Sequence, residues 1–252
     1  MSTSPDGSTP RKVALVTGAA RRIGAAIARR LHADGYDLAL HYRSSQAEMD
    51  ALLAELDSAR AGSAIALQAD LAEFDRLPEL IAQTVGRFGR LDALVNNASA
   101  FYPTPIGGTT PAQWDELFAS NARAPFFLAQ AAAPHLKAAR GGIVNLVDIH
   151  AEQPLAGHAV YGMAKAALRM LTKALAVDLA PAVRVNAIAP GAILWPEHGK
   201  DAASQEALIA RTPLGRIGNP EDIAGCVAWL LGDASGYVTG QTLRVDGGRG
   251  IG

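Results

Sequence analysis

The 252-residue chain is 49% hydrophobic and 19% charged, a balance that suits one large α/β domain better than two small ones. Its formal net charge is -1 and its 23 basic residues are scattered, which excludes a sequence-level electrostatic footprint for nucleic acid or an anionic membrane surface. The single cysteine, Cys226, excludes disulfides within the chain and cysteine-rich metal sites, and no apolar run approaches the roughly 18 residues of a spanning helix.

The first ten residues, MSTSPDGSTP, are polar and predict a disordered tail without the apolar stretch of a secretion signal. From residue 11 onward, short β-rich runs alternate with helix-length segments whose apolar residues recur every three or four positions. The runs are KVALVT (12–17), DLALHY (37–42), SAIALQ (63–68), ALVNN (93–97), GIVNLV (142–147), VRVNAI (183–188) and QTLRVD (241–246). Seven strands alternating with helices predict a parallel, doubly wound sheet with helices on both faces. The first unit is clearest, with a strand over 12–17, a turn over 18–21 and a helix over 22–33 closed by Gly35. Residues 190–213 read as an irregular excursion with a short helix near 204–210, the kind of loop that covers a substrate. Gly18, Asn96, Asp148 and Pro190 all fall just beyond strand carboxyl ends, where such sheets bind ligands.

Four segments carry chemistry. Thr17-Gly18-Ala19-Ala20-Arg21-Arg22-Ile23-Gly24 joins strand to helix and presents backbone N–H groups to a pyrophosphate. Strand two ends His41-Tyr42-Arg43-Ser44-Ser45, without the carboxylate that accepts from the adenosine ribose of NAD. Arg43 offers a fork of donors and the serines two hydroxyls, so NADPH is the expected cofactor. Asp70, followed by Leu71, is placed to accept from adenine. Tyr161 and Lys165, four residues apart at the start of a helix, put phenol and ammonium on one face. A nearby cation is expected to pull the phenol down from about 10, fitting Tyr161 for general acid catalysis.

With these motifs in order, residues 11–248 resemble the short-chain dehydrogenase/reductase family, and the resemblance implies a Rossmann fold. Thr17 to Gly24 is similar to its glycine motif, Asn96-Asn97-Ala98 to its strand-four motif, Asn121 to the asparagine of its proton relay, and Tyr161 with Lys165 to its catalytic pair. Pro190-Gly191 and Val245-Asp246-Gly247-Gly248 complete the order. The resemblance implies hydride transfer from the nicotinamide of NADPH, proton donation by Tyr161, a Lys165 that also binds ribose, cofactor contacts at Asn97, Ala98, Pro190 and Gly191, and a homotetramer built through the helices of 111–139 and 159–180.

Three departures resemble the pteridine reductase branch: Arg22 replaces the middle glycine, Ser99 stands where glycine is usual, and Asp148 occupies the catalytic-serine position, thirteen residues before Tyr161. The run Asn97 to Pro105 and Gln153-Pro154-Leu155 look like segments of the same branch. The resemblance implies reduction of a dihydropteridine such as dihydrobiopterin, dihydromonapterin or dihydrofolate. Phe101 is then expected to stack on the ring, with Arg22 and Ser99 at its polar edge and at the cofactor phosphates. Asp148 either accepts from the pterin edge or passes a proton through Tyr161, and Trp195 in the substrate loop either walls the pocket or pins the loop. His150 and His158 are left outside the mechanism as hydrogen-bonded bystanders. The competing readings are a carbonyl reductase, such as one acting on 3-oxoacyl thioesters, and a silent NADP(H)-binding regulator, which would have no need of Tyr161 and Lys165.

Overall fold

The computed structural model describes residues 10–194 and 202–251. Residues 1–9 of the expected tail and Trp195 lie outside the described residues. Strands β1 (Val13–Val16), β2 (Asp37–Tyr42), β3 (Ala64–Gln68), β4 (Ala93–Asn96), β5 (Gly142–Leu146), β6 (Arg184–Pro190) and β7 (Thr242–Val245) form one sheet in the order β3-β2-β1-β4-β5-β6-β7. Every neighbouring pair is parallel, with Val13 opposite Asp37 and Leu15 opposite Leu94 fixing the central registers.

Strands buried on both faces need apolar residues at successive positions. In β1, Ala14 and Val16 point to a core formed with α1 (Arg22–Ala33), α2 (Gln46–Ala59) and α8 (Pro220–Leu231). Val13 and Leu15 point the other way, to a core shared with α3 (Arg76–Phe88), α5 (Ala124–Ala139) and α6 (Ala159–Asp178). The helices begin where the sequence supplies caps. Thr110 with Gln113 and Asn219 with Asp222 form capping boxes for α4 (Pro111–Phe118) and α8, each with proline in the first turn. The helix α7 (Ala202–Ala210) occupies the expected excursion.

Chain order reverses at β1, whose neighbours are β2 and β4. The segments after β1 and β4 therefore diverge at the carboxyl edge and leave a crevice there. No described helix is long and apolar enough to cross a membrane.

Candidate active site

The crevice is a cleft of about 400 Å³ built by four strand ends: Gly18 to Gly24 after β1, His41 to Ser45 around the end of β2, Asp70 and Leu71 after β3, and Asn97 to Ala100 after β4. A buried threonine ties two of these together. Thr17 Oγ1 accepts from the Asn97 and Ala98 N–H groups at 2.9 and 3.0 Å, and Asn97 Nδ2 donates back to the Thr17 and Gly18 carbonyls at 2.8 and 3.0 Å. Asn97 thus serves as a strut under the glycine turn. Gly18 has φ +63°, and a Cβ there would stand 2.9 Å from Ala98 Cα; a Cβ on Gly24 would stand 2.1 Å from the Gly18 carbonyl. Side chains at either position would break the fold-back that opens the α1 N-terminus to the cleft. No side chain caps that terminus and its first turn holds no acid, so its N–H groups face the cleft. Arg22 takes the left-handed conformation at φ +52°, meeting with an arginine a backbone demand that glycine would meet freely, and its guanidinium reaches the Ile193 carbonyl at 3.5 Å.

His41, expected as a cofactor ligand, is a support as well as a wall. It is buried, its Nδ1 accepts from the Gly18 N–H at 3.1 Å, and its Nε2 lies 3.1 Å from the Ala69 carbonyl. Those two bonds select the neutral Nε2–H tautomer, and burial holds the imidazole below its ordinary 6.5. Tyr42, Arg43, Ser44 and Ser45 line the same end, with no carboxylate from β2. Asp70 Oδ1 accepts from the Ala72 N–H at 2.9 Å. This donor set fits a dinucleotide carrying a phosphate on its adenosine ribose. Pro190 and Gly191 stand apart from the cleft lining, at the end of β6, where Gly191 packs against Asp246. The walls also include Ala20 and Arg21 of the glycine motif, Ala100 of the run after β4, and Ser120, which no motif singled out.

Beside the cleft, Asp148, Tyr161, Lys165 and Phe101 come together, and Asn121 bonds to Ser99 of the cleft wall. Asp148 follows β5 and caps a short 3-10 turn (Ile149–Ala151), its Oδ1 accepting from the His150 N–H at 2.8 Å. Its Oδ2 accepts from the Tyr161 hydroxyl at 2.7 Å. Lys165 is fully buried, donates to the Leu146 carbonyl at 2.8 Å and sits over the Tyr161 ring, 5.8 Å from its centroid. Desolvation pushes Lys165 down to about 8.

The expected downward pull of Lys165 on Tyr161 is overturned. Burial, then the charge of Asp148, then the hydrogen bond to it hold the phenol well above its usual range. The carboxylate is bonded directly to the phenol, whereas the ammonium points at a backbone carbonyl, so the nearer charge wins. Tyr161 therefore keeps its proton, as a general acid must.

Asn121 lies in a π-turn (Ala119–Arg123) between α4 and α5. Its Nδ2 donates to the Ala100 and Leu117 carbonyls at 2.9 and 3.0 Å, and its Oδ1 accepts from the Ser99 hydroxyl at 2.7 Å. Phe101 is 55% exposed, meets Tyr161 edge-on at 4.8 Å and stacks on His158 at 4.8 Å and 17°. Both histidines set aside from the sequence thus touch the site: His150 through its backbone, His158 through its ring. The signal for His158 was its place three residues before Tyr161, at the N-cap of α6.

A doubly wound sheet with a glycine turn at its switch point and a Tyr-Lys pair beside it defines a dinucleotide-dependent oxidoreductase. Residues 18–249 match the family profile described as enoyl-(acyl carrier protein) reductase. Similar proteins include pteridine reductase 1 of Leishmania tarentolae, 38% identical over 98% of each chain. They also include a 3-oxoacyl-(acyl-carrier-protein) reductase of Staphylococcus aureus, 37% identical over 94% of this chain and 97% of that one. A third is 3beta-hydroxysteroid dehydrogenase 1 of Eggerthella lenta, 36% identical over 94% and 93%. The chain belongs to the short-chain dehydrogenase/reductase family and is an oxidoreductase that uses a nicotinamide cofactor.

Proposed function

We propose that the protein is an NADPH-dependent pteridine reductase that converts a 7,8-dihydropteridine to its tetrahydro form. The observation that carries the reading is the 2.7 Å hydrogen bond from the Tyr161 hydroxyl to Asp148. An ionised carboxylate accepts but has no proton to give, so it polarises a substrate carbonyl poorly. The amino and amide N–H groups along the edge of a pterin are donors that suit it. The exposed Phe101 ring beside Tyr161 offers a flat heterocycle a stacking surface. Likeness to pteridine reductase 1 along nearly the whole of both chains agrees with this reading. A comparable likeness to a 3-oxoacyl-(acyl-carrier-protein) reductase keeps carbonyl reduction as the second reading.

NADPH, when bound, supplies the hydride. The Gly18 turn and the α1 N-terminus hold its pyrophosphate, Arg43 with Ser44 and Ser45 its 2′-phosphate, and Asp70 its adenine. Lys165 binds the nicotinamide ribose. Tyr161 delivers a proton to the ring nitrogen next to the carbon being reduced, Asp148 orients the pterin edge, and Asn121 holds the water through which the phenol regains its proton. Residues 11–252 form one catalytic domain, with 190–213 as the substrate loop. The protein acts in the cytoplasm as a homotetramer, an assembly that would cover Trp114, Phe126, Met163, Met170 and Val177, exposed along α4, α5 and α6.

The test is NADPH oxidation by purified protein with dihydrobiopterin, dihydromonapterin, dihydrofolate and an acetoacetyl thioester. Turnover of a dihydropteridine that is lost in Tyr161→Phe supports the proposal; turnover of the thioester alone sinks it.

A further inference from the structure

Asp148 stands where the chain has left the sheet. The last sheet-like bond before it runs from the Val147 N–H to the Ile188 carbonyl at 2.8 Å, and from there to Gln153 the chain closes on itself. The Ala151 N–H donates to the Asp148 carbonyl at 3.0 Å, and the Glu152 and Gln153 N–H groups donate to the Ile149 carbonyl at 3.1 and 3.0 Å. The His150 N–H donates to Asp148 Oδ1 at 2.8 Å, and His150 Nδ1 lies 2.9 Å from the Gln153 carbonyl, which can only accept, so that nitrogen carries the hydrogen. Asp148 and Glu152 are two ends of one internally bonded turn. Whatever holds Glu152 therefore sets where the Asp148 carboxylate sits.

Glu152 is held from two elements at once. Its Oε1 faces Arg169 Nη2 of α6 at 2.6 Å, and its Oε2 accepts from Arg244 Nη2 of β7. The hydrogen bond from Arg244, with the charges of Arg169, Arg244 and Lys173, outweighs burial and holds the carboxyl below its ordinary range. Each oxygen has its own guanidinium, so the carboxylate cannot turn toward one without leaving the other. Gln153 adds an anchor, since its Nε2 donates to the Gly250 carbonyl at 2.8 Å, where Arg244 Nη1 also donates at 3.2 Å. That anchor leads to the end of the chain. Arg169 belongs instead to the helix of Tyr161 and Lys165, one turn beyond the lysine.

Partly exposed ion pairs add little to stability, and the Glu152, Arg169 and Arg244 side chains are 25%, 35% and 38% exposed. Their contribution here is geometric. Asp148 meets α6 through the 2.7 Å hydrogen bond from Tyr161, and the hydrogen in that bond is the one the phenol gives away. Once it has gone, carboxylate and phenolate face each other as like charges, and repulsion drives Asp148 and its turn away from the helix. Lys165 offsets part of the phenolate charge, but its ammonium lies over the ring and donates to the Leu146 carbonyl. Phe101, edge-on to the phenol, carries no charge, and His158 is one ring further out. The pairing of Glu152 with Arg169 does not use the departing hydrogen.

We infer that Glu152 is a positioning residue for the reaction: clamped between Arg169 and Arg244, it keeps the Asp148 carboxylate against Tyr161 while the phenol gives up and regains its proton. No bond forms or breaks at Glu152, which acts through Asp148. No motif singled it out, because its two partners lie on later elements that only the fold brings to it.

The inference rests on Asp148 acting with Tyr161, as in the proposed reaction, and does not depend on which substrate is reduced. The test is a double-mutant cycle on kcat for the parent, Glu152→Gln, Asp148→Asn and the double variant, on whichever dihydropteridine or acetoacetyl thioester the enzyme reduces. NADPH affinity and thermal unfolding show that each variant is folded. Glu152→Gln should lower kcat by about tenfold in the parent background and by less than about twofold where Asp148 is already asparagine, as expected of two residues that act as one unit. Arg169→Met should follow Glu152→Gln. Arg169→Lys should return to the parent level, since the buried Nε of Arg169 has no partner among the described residues and a single cation meets the need at Oε1. An equal fall in both backgrounds, or an unchanged kcat in Glu152→Gln, would overturn the proposal and leave the ion pairs as structural. If Glu152→Gln does not fold, Arg169→Met in the two backgrounds makes the same comparison. Thioester turnover without pteridine turnover, together with the non-additive cycle, would remove the pteridine reading while keeping the clamp.

Discussion

Lys165 is the most buried charge-bearing side chain of the site, and its removal makes a prediction with a defined pH window. Burial lowers it from an ordinary 10.5 to about 8. At about 1.4 kcal/mol per pH unit, that displacement corresponds to about 3 kcal/mol of folding stability. The folded-state value lies below the unfolded one, so the unfolded chain holds the extra proton between these limits. The cost is fully present below about pH 8, shrinks as pH rises, and is gone above 10.5. In Lys165→Met the buried cation is absent at every pH, while the Leu146 carbonyl loses its donor at every pH. The offset between the proteins therefore combines two effects, but its pH dependence isolates one. Urea unfolding of parent and variant without cofactor, at steps from about pH 7 to pH 10, should show the parent gaining on the variant by a total approaching 3 kcal/mol. A difference that stays flat across the window, or a parent that loses ground, would refute the burial argument.

Other consequences follow from the same geometry. Asp148→Asn removes the charge that, after burial, does most to hold the Tyr161 proton, so any kinetic limb set by Tyr161 should move to lower pH in that variant; an unmoved limb would show that Asp148 does not govern the phenol. Gly24→Ala places a Cβ 2.1 Å from the Gly18 carbonyl and should cost roughly 1–3 kcal/mol in thermal or urea unfolding together with most NADPH affinity, and wild-type binding would contradict the described turn. Arg43→Ala should weaken NADPH binding by about tenfold or more with little effect on NADH, as expected for a lost charge-assisted contact to the 2′-phosphate. His41 must be neutral to accept from Gly18, and its folded value lies below 6.5, so it contributes a cost that appears as pH falls through that range. NADPH affinity, followed by fluorescence, should therefore decline on the acid side in the parent and lose that dependence in His41→Gln.

The sheet was legible because its signal is dense. Five of the seven short apolar runs are buried almost throughout and leave no other period to read, the edge strands β3 and β7 being the exceptions, and the first βα unit ends at Ala33 as its capping pattern implies. That the segments after β1, β2 and β4 line one cleft was legible for a different reason, since the glycines at 18 and 24 and the strand ends are local facts. Side-chain direction was not. The four-residue spacing of Tyr161 and Lys165 placed both on one face of α6 but did not reveal that the ammonium bonds to Leu146 while Asp148 takes the phenol hydrogen, which reverses the expected effect on Tyr161. The π-turn that carries Asn121 was equally hidden, because nothing in ASNAR distinguishes it from an ordinary helical turn. The stack of His158 on Phe101 joins residues 57 positions apart through tertiary packing alone.

The central claim is that a carboxylate at position 148 selects a pteridine over a carbonyl substrate. Its most direct test is the ratio of kcat/KM for a dihydropteridine to that for an acetoacetyl thioester, measured in the parent and in Asp148→Ser. A ratio that favours the dihydropteridine in the parent and falls by about tenfold or more when serine restores a hydroxyl donor is the predicted result. A parent that prefers the thioester, or a ratio indifferent to the substitution, would contradict it.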